Sequence, residues 1–307
     1  MIEVVTLMLP IFAMIAIGSL FVSSGWFPAE GLPFLNRFVM NACIPALLFS
    51  AIANGESLAD FSWLNSGLFT GGSLISAVIL WALLRFVLRG GQPQSIILAL
   101  GGATANTVFL GFPIASMLIP ERATEVFAWV VFAEVAIIMP IITTIALLAE
   151  ESMGRNAVSV ALVALLRSPV TLGLLGGFTF LAIGLTLPPW LEEVVSSIVS
   201  AAPYVALFVI GGSILQFRMS RSGPRVLTVT LTKLLIQPLV VGTVFWAVFG
   251  WADPVTRDAI LIAAMPLFLT YVAFCGRHGV GDVGASAIML STLIGAISTP
   301  IIVGFLF

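Results

Sequence analysis

Few side chains in this chain are equipped for chemistry, and most of those lie where hydrocarbon is expected. Glu134 stands near the middle of an apolar run, in "VVFAEVAIIMP". An ionisable group at that depth is expensive and marks a functional hypothesis. It is a proton carrier, a cation ligand, or a neutral side chain hydrogen-bonded to another helix. Lys233, the single lysine of the chain, precedes Gln237 by one helical turn in "KLLIQPL". Its ammonium can neutralise a carboxylate substrate, pair with Glu134, or snorkel to the nearby membrane rim. Asn106 and Thr107, in "GGATANTVFLGFPIASML", bring an amide and a hydroxyl into an apolar span that also holds Pro113. "AAMPLFLTYVAF" repeats that combination with Pro266, Thr270 and Tyr271. Asn41, in "NACIPALLF", either faces the substrate-carrying part of the molecule or hydrogen-bonds across the helices beside it. Ser291 and Thr292 either support such a site or are packing residues, the common fate of hydroxyls in membrane helices.

Other chemistries are poorly supported. "GVGDVG", residues 279–284, matches GxGxxG, but that fingerprint needs a preceding strand and a βαβ unit. Between two apolar runs it reads as a short loop, with His278 a solvated residue at its start. No Walker A pattern precedes the lysine. Cys43 and Cys275 lie in apolar runs without CxxC spacing, which points to neither a disulfide framework nor a metal site. No cofactor, metal or nucleic-acid partner is implied.

The elements that must position these residues are membrane spans. Of the 307 residues, 60% are hydrophobic and only 8% charged, against about 25% charged in soluble domains. Mean hydropathy is +1.18. Apolar runs cut at charged, Gly or Pro clusters give ten spans, at 3–24, 34–54, 63–88, 94–118, 124–149, 167–186, 190–216, 226–249, 256–277 and 284–306. The first run starts without a basic flank and reads as a retained span rather than a cleaved signal.

Nine of the twelve Lys and Arg fall on one set of alternating loops: Arg37, Arg85, Arg89, Arg155, Arg167, Arg218, Arg221, Arg225 and Arg277. Only Arg122 and Arg257 fall on the other, which carries Glu56, Asp60, Glu121, Glu125, Glu192, Glu193, Asp253 and Asp258. The positive-inside rule then places both termini outside a cytoplasmic membrane.

Pro45 before "ALLF" and Pro203 before "VALF" lie 158 residues apart, and Asn106 overlies Thr270 at an offset of 164. This suggests a five-span repeat over 1–150, a linker over 151–166 and an inverted second repeat over 167–307. An odd repeat must run through the membrane in opposite senses, as in many secondary transporters. The fourth and ninth spans, each with proline and polar residues at depth, are the expected broken helices. Paired half-helices point to a substrate site, because their N-termini present N–H groups and partial positive charge to an anion.

"NACIPALLF", "ANTVFLGFPI", "KLLIQPL" and "STLIGAISTP" resemble, in order and over essentially the whole chain, the auxin efflux carrier family. The resemblance implies an all-α membrane protein of ten transmembrane helices in two inverted five-helix repeats, similar to bile-acid and sodium/proton transporters. Helices 4 and 9 would cross at their prolines, with Asn106, Pro113 and Pro266 as crossover features. Spans 1, 2, 6 and 7 would form a dimerising scaffold, and spans 3–5 and 8–10 a moving transport domain. The family pattern is closer to "NTGFLGLP"; Val108 stands here in place of its first glycine.

The function expected is elevator-type transport of a small organic anion, auxin- or malonate-like. Its coupling to protons, to sodium or to neither is left open. The alternative is a membrane-embedded sensor or enzyme using the same bundle, which would need a nucleophile and base close together.

Overall fold

The computed structural model describes residues 2–53, 61–149, 166–214 and 222–307, with positions 159 and 163. Glu56, Asp60, Arg155, Arg218, Arg221 and most of the expected linker lie outside the described residues. Every regular element among the described residues is helical. That is the expected solution in hydrocarbon, where each backbone N–H and C=O must find its partner within the protein.

The helices are α1 (Ile2–Ser23), α2 (Ala29–Ala53), α3 (Trp63–Val87), α4 (Gln92–Ala99), α5 (Phe112–Leu118), α6 (Ala123–Leu148), α7 (Pro169–Ala182), α8 (Pro189–Ile214), α9 (Gly223–Phe249), α10 (Pro254–Ala263), α11 (Tyr271–Arg277) and α12 (Gly281–Leu306). By length and composition, seven stretches are long and apolar enough to cross a membrane, taking Gln92–Leu118 as one. The other three expected spans correspond to α1, to the 14-residue α7 and to the pair α10 and α11. The expected loop over 279–284 is shorter than its motif, since α12 already begins at Gly281.

Proline shapes these helices in a consistent way. Wide π-helical turns at Val39–Cys43, Thr107–Gly111, Phe132–Ile138 and Thr232–Ile236 each end just before a residue followed by proline: Pro45, Pro113, Pro140 and Pro238. A proline in a helix lacks its N–H and clashes with the carbonyl one turn back. Widening that turn relieves the clash at the loss of one hydrogen bond. Glu134, Lys233, Thr107 and Asn41 all stand on such turns.

Helix pairs close at glycines. A Cβ on Gly18 of α1 would lie 2.2 Å from the Phe208 carbonyl oxygen of α8, and one on Gly173 of α7 would lie 2.6 Å from the Pro45 carbonyl oxygen of α2. At the centre α3, α6 and α9 meet through Phe69, Trp129 and Phe245, whose rings lie within 6 Å centre to centre. Phe61, Trp63, Phe132 and Phe178 form a second ring cluster joining α3, α6 and α7.

Candidate functional site at the crossing of two broken helices

Two of the expected spans are broken at depth. After α4 the chain makes one tight turn, Leu100–Gly102, then leaves helical geometry over 103–106 before the wide turn that leads into α5. The second break covers 264–270, between α10 and α11. The two touch through their main chains, where the Asn106 N–H donates to the Pro266 carbonyl at 2.8 Å. The Ser291 hydroxyl of α12 accepts from the Leu267 N–H at 3.3 Å. Gly295 lets α12 close on the break: a Cβ there would stand 2.5 Å from Pro266 Cγ.

Pro266 sits within its break, as expected, whereas the first break lies upstream of Pro113. Pro113 follows the wide turn Thr107–Gly111 just after Phe112, and it produces that turn rather than the gap. Val108 is accommodated without strain, since among the described non-glycine residues only Arg89 has a positive φ.

The interior charges go to the broken ends. Glu134 Oε1 accepts the Ala105 N–H at 2.7 Å, and its Oε2 accepts the Thr107 hydroxyl at 2.9 Å. This carboxylate therefore lies at the start of the half-helix that runs from Thr107 to the end of α5, the positive end of its dipole. The Asn106 side-chain oxygen caps the same end by accepting the Phe109 N–H at 3.3 Å. Lys233 does the reverse: its ammonium donates to the carbonyl of Ala263, the last residue of α10, at 2.9 Å, and also to Gln237 Oε1. A cation at a helix C-terminus is favourable for the same electrostatic reason. Gln237 in turn donates to the Ser73 hydroxyl of α3 at 3.2 Å. Lys233 is 0% exposed, which removes the snorkelling alternative. It also makes no ion pair with Glu134; among the described residues the ion pair found is Arg122 with Asp258.

A cavity of about 180 Å3 adjoins the crossing. Asn106, Glu134, Thr270 and Ser168 are its polar lining, and Met40, Val108, Phe268 and Phe274 are among its apolar walls. It lies between the breaks and the helices α2 and α7. Of the expected site residues, Asn106, Thr270 and Glu134 meet here. Thr107 is buried behind Glu134. Pro113, Lys233 and Gln237 lie away from the cavity, and Tyr271 is fully buried with its hydroxyl donating to the Leu98 carbonyl at 2.8 Å. Asn41 is exposed; its neighbours Met40 and Ile44 line the cavity instead. Thr292 bonds its own helix, to Ile288 O at 2.8 Å. Both cysteines are buried.

Sequence reading missed Ser168, which follows the basic rim residue Arg167, and Asp258, assigned to an outer loop but fully buried on α10. The Arg122–Asp258 complementarity across 136 residues was visible only as two charges in separate loops.

Comparison with known proteins gives this arrangement its context. The model of a family described as "Membrane transport protein", the auxin efflux carrier family, matches residues 3–303. The chain belongs to this family. Among its relatives is a Rhizobium meliloti (strain 1021) protein described as "Putative malonate transporter", 23% identical over 304 residues, or 97% of this chain and 94% of that protein. Membership makes this a multi-pass membrane transport protein. Within such a protein the two breaks provide polar backbone at membrane depth, held only because surrounding helices satisfy it.

Proposed function

We propose that this chain is a secondary transporter for a small organic anion, binding the substrate carboxylate in the cavity beside the crossed breaks. One observation carries the reading. Asn106, Thr270 and the start of a half-helix converge on a cavity that Glu134 also lines. The first-turn amide of Val108 has no carbonyl within its own helix to reach, so it and the Asn106 side-chain amide are the donors for the anion. No Lys, Arg or His lines the cavity, which leaves Glu134 as the lining group able to take up or release a proton as the anion moves. Proton coupling through Glu134 follows, in preference to sodium coupling or uniport.

The expected two-repeat plan fits the packing. Exchanging spans 1 and 2 with 6 and 7 maps the α1–α8 contact onto the α7–α2 contact, each closed by a glycine against a carbonyl oxygen. In this plan α1, α2, α7 and α8 form a dimerising scaffold, and the remaining helices carry the cavity past it as an elevator.

Uptake into proteoliposomes tests the site. Malonate and a monocarboxylate are offered with and without an inward proton gradient, and with sodium replaced by choline. Asn106→Ala should lower uptake of the accepted acid at least tenfold, the cost of about 1.4 kcal/mol of lost binding. An Asn106→Ala protein that folds and transports normally would remove the proposed site.

A further inference from the structure

The two arginines on the acid-rich side of the bundle lie together. Arg122 is engaged in both directions by Asp258, Nε to Oδ2 at 2.9 Å and Nη2 to Oδ1 at 3.2 Å. Arg257, the next residue in sequence to Asp258, is not so occupied. Its Nη1 reaches the Leu306 carbonyl only at 3.4 Å, and its Nε is buried with no acceptor. A buried guanidinium N–H without a partner is costly. Both arginines and Glu121 line a polar hollow of about 340 Å3 at this end of the bundle.

A second, very different concavity has Leu306 in its lining, next in sequence to the hollow's Phe307. One turn along α10 from Arg257, Ile260 begins an open apolar groove of about 500 Å3 between α9, α10 and α12. Leu235 and Leu239 line it on the outward face of α9, more than half exposed, and Trp246 and Trp251, 56% and 55% exposed, stand toward the hollow. Tryptophans at that position suit the membrane–water interface.

We propose that the hollow and groove together bind an anionic phospholipid with hydroxyls in its headgroup, of the phosphatidylglycerol type. The phosphate meets the Arg257 guanidinium, whose contact to the Leu306 carbonyl is long, a headgroup hydroxyl donates to Glu121, and an acyl chain fills the groove. The groove is what selects a lipid over a soluble anion: an ion satisfies the arginine but leaves the apolar channel beside it empty. The site lies on the face of α9 and α12 away from the cavity and stands whether or not the substrate reading holds. It also gives a reason for Arg257, the arginine Asp258 does not pair, on the side where the positive-inside rule disfavours it.

Delipidated protein in a mild detergent, followed by thermal unfolding, tests this against dioleoylphosphatidylglycerol, dioleoylphosphatidylcholine and glycerol phosphate. The anionic lipid should raise the unfolding midpoint, and the other two should not. Arg257→Gln should weaken its apparent affinity about tenfold, a change of about 1.4 kcal/mol, while Arg257→Lys retains most of it. Thr243→Trp, which fills the groove without touching a charge, should also weaken it and provides a second reading if Arg257→Gln is unstable. Equal stabilisation of wild type and both variants would overturn the proposal. So would an equal shift with glycerol phosphate, which would assign the hollow to a soluble anion.

Discussion

At the residue scale the two ionisable groups beside the breaks, Glu134 and Lys233, serve backbone groups before they serve anything else. Glu134 holds the Ala105 amide and the Thr107 hydroxyl. Glu134→Gln retains an acceptor for the amide but cannot carry a proton, so uptake in proteoliposomes should lose its dependence on the proton gradient while the protein stays folded. Persistence of that dependence would exclude Glu134 as the carrier. Tyr271 provides a structural contrast. Tyr271→Phe removes the hydroxyl's bond to the Leu98 carbonyl, which keeps a backbone donor, and should cost about 1 kcal/mol of stability, read as a lower thermal midpoint, without changing which acid is accepted. Neither partner of these groups is adjacent in sequence. Glu134 was recognisable as an anomaly in an apolar run, but its attachment to Ala105 and Thr107 was not. Lys233 likewise stood out as a lone lysine, yet none of its expected uses anticipated Ala263 as its acceptor.

At the element scale, proline and glycine set the shape. Each of four prolines sits just after a widened turn, and one such turn carries Glu134 and another Lys233. Pro140→Ala should let the Phe132–Ile138 turn relax toward regular α-helix, rotating Glu134 away from Ala105. Transport should fall with little loss of helicity by circular dichroism, and unchanged transport would mean that the wide turn does not set the carboxylate's aim. Glycine acts at contacts. Gly173→Ala places a Cβ 2.6 Å from Pro45 Cα and its carbonyl oxygen, atoms of a backbone that cannot swing aside. Overpacking of that kind costs about 1–3 kcal/mol and should appear as a lower unfolding midpoint, whereas Gly176→Ala, whose nearest neighbour is a Phe49 ring atom at 3.4 Å, should be nearly neutral. The prolines were plain in the sequence; that Pro113 widens a turn while the gap opens upstream of it was not, because a proline marks a local fault without saying how neighbouring helices will accommodate it.

At the scale of the whole molecule, the charge asymmetry predicts an orientation that labelling can read. With Cys43 and Cys275 buried, a membrane-impermeant maleimide applied to intact cells should label Glu121→Cys and spare Arg277→Cys until the membrane is permeabilised. The reverse pattern would invert the topology. Composition and hydrophobic run length by themselves determined that this is an all-helical, multi-pass membrane protein, because apolar stretches of that length have few other solutions in water or lipid. Motif order carried the family. What only the tertiary structure decided is which polar residues meet. Asn106 and Thr270 line one cavity with Glu134, while Asn41 faces outward and Lys233 caps a helix end. Contacts such as Asn106 with Pro266, or Arg122 with Asp258, join residues more than a hundred positions apart. Hydropathy records how deep a residue sits in the membrane and says nothing of the direction its helix turns it; that direction is set by packing against neighbours.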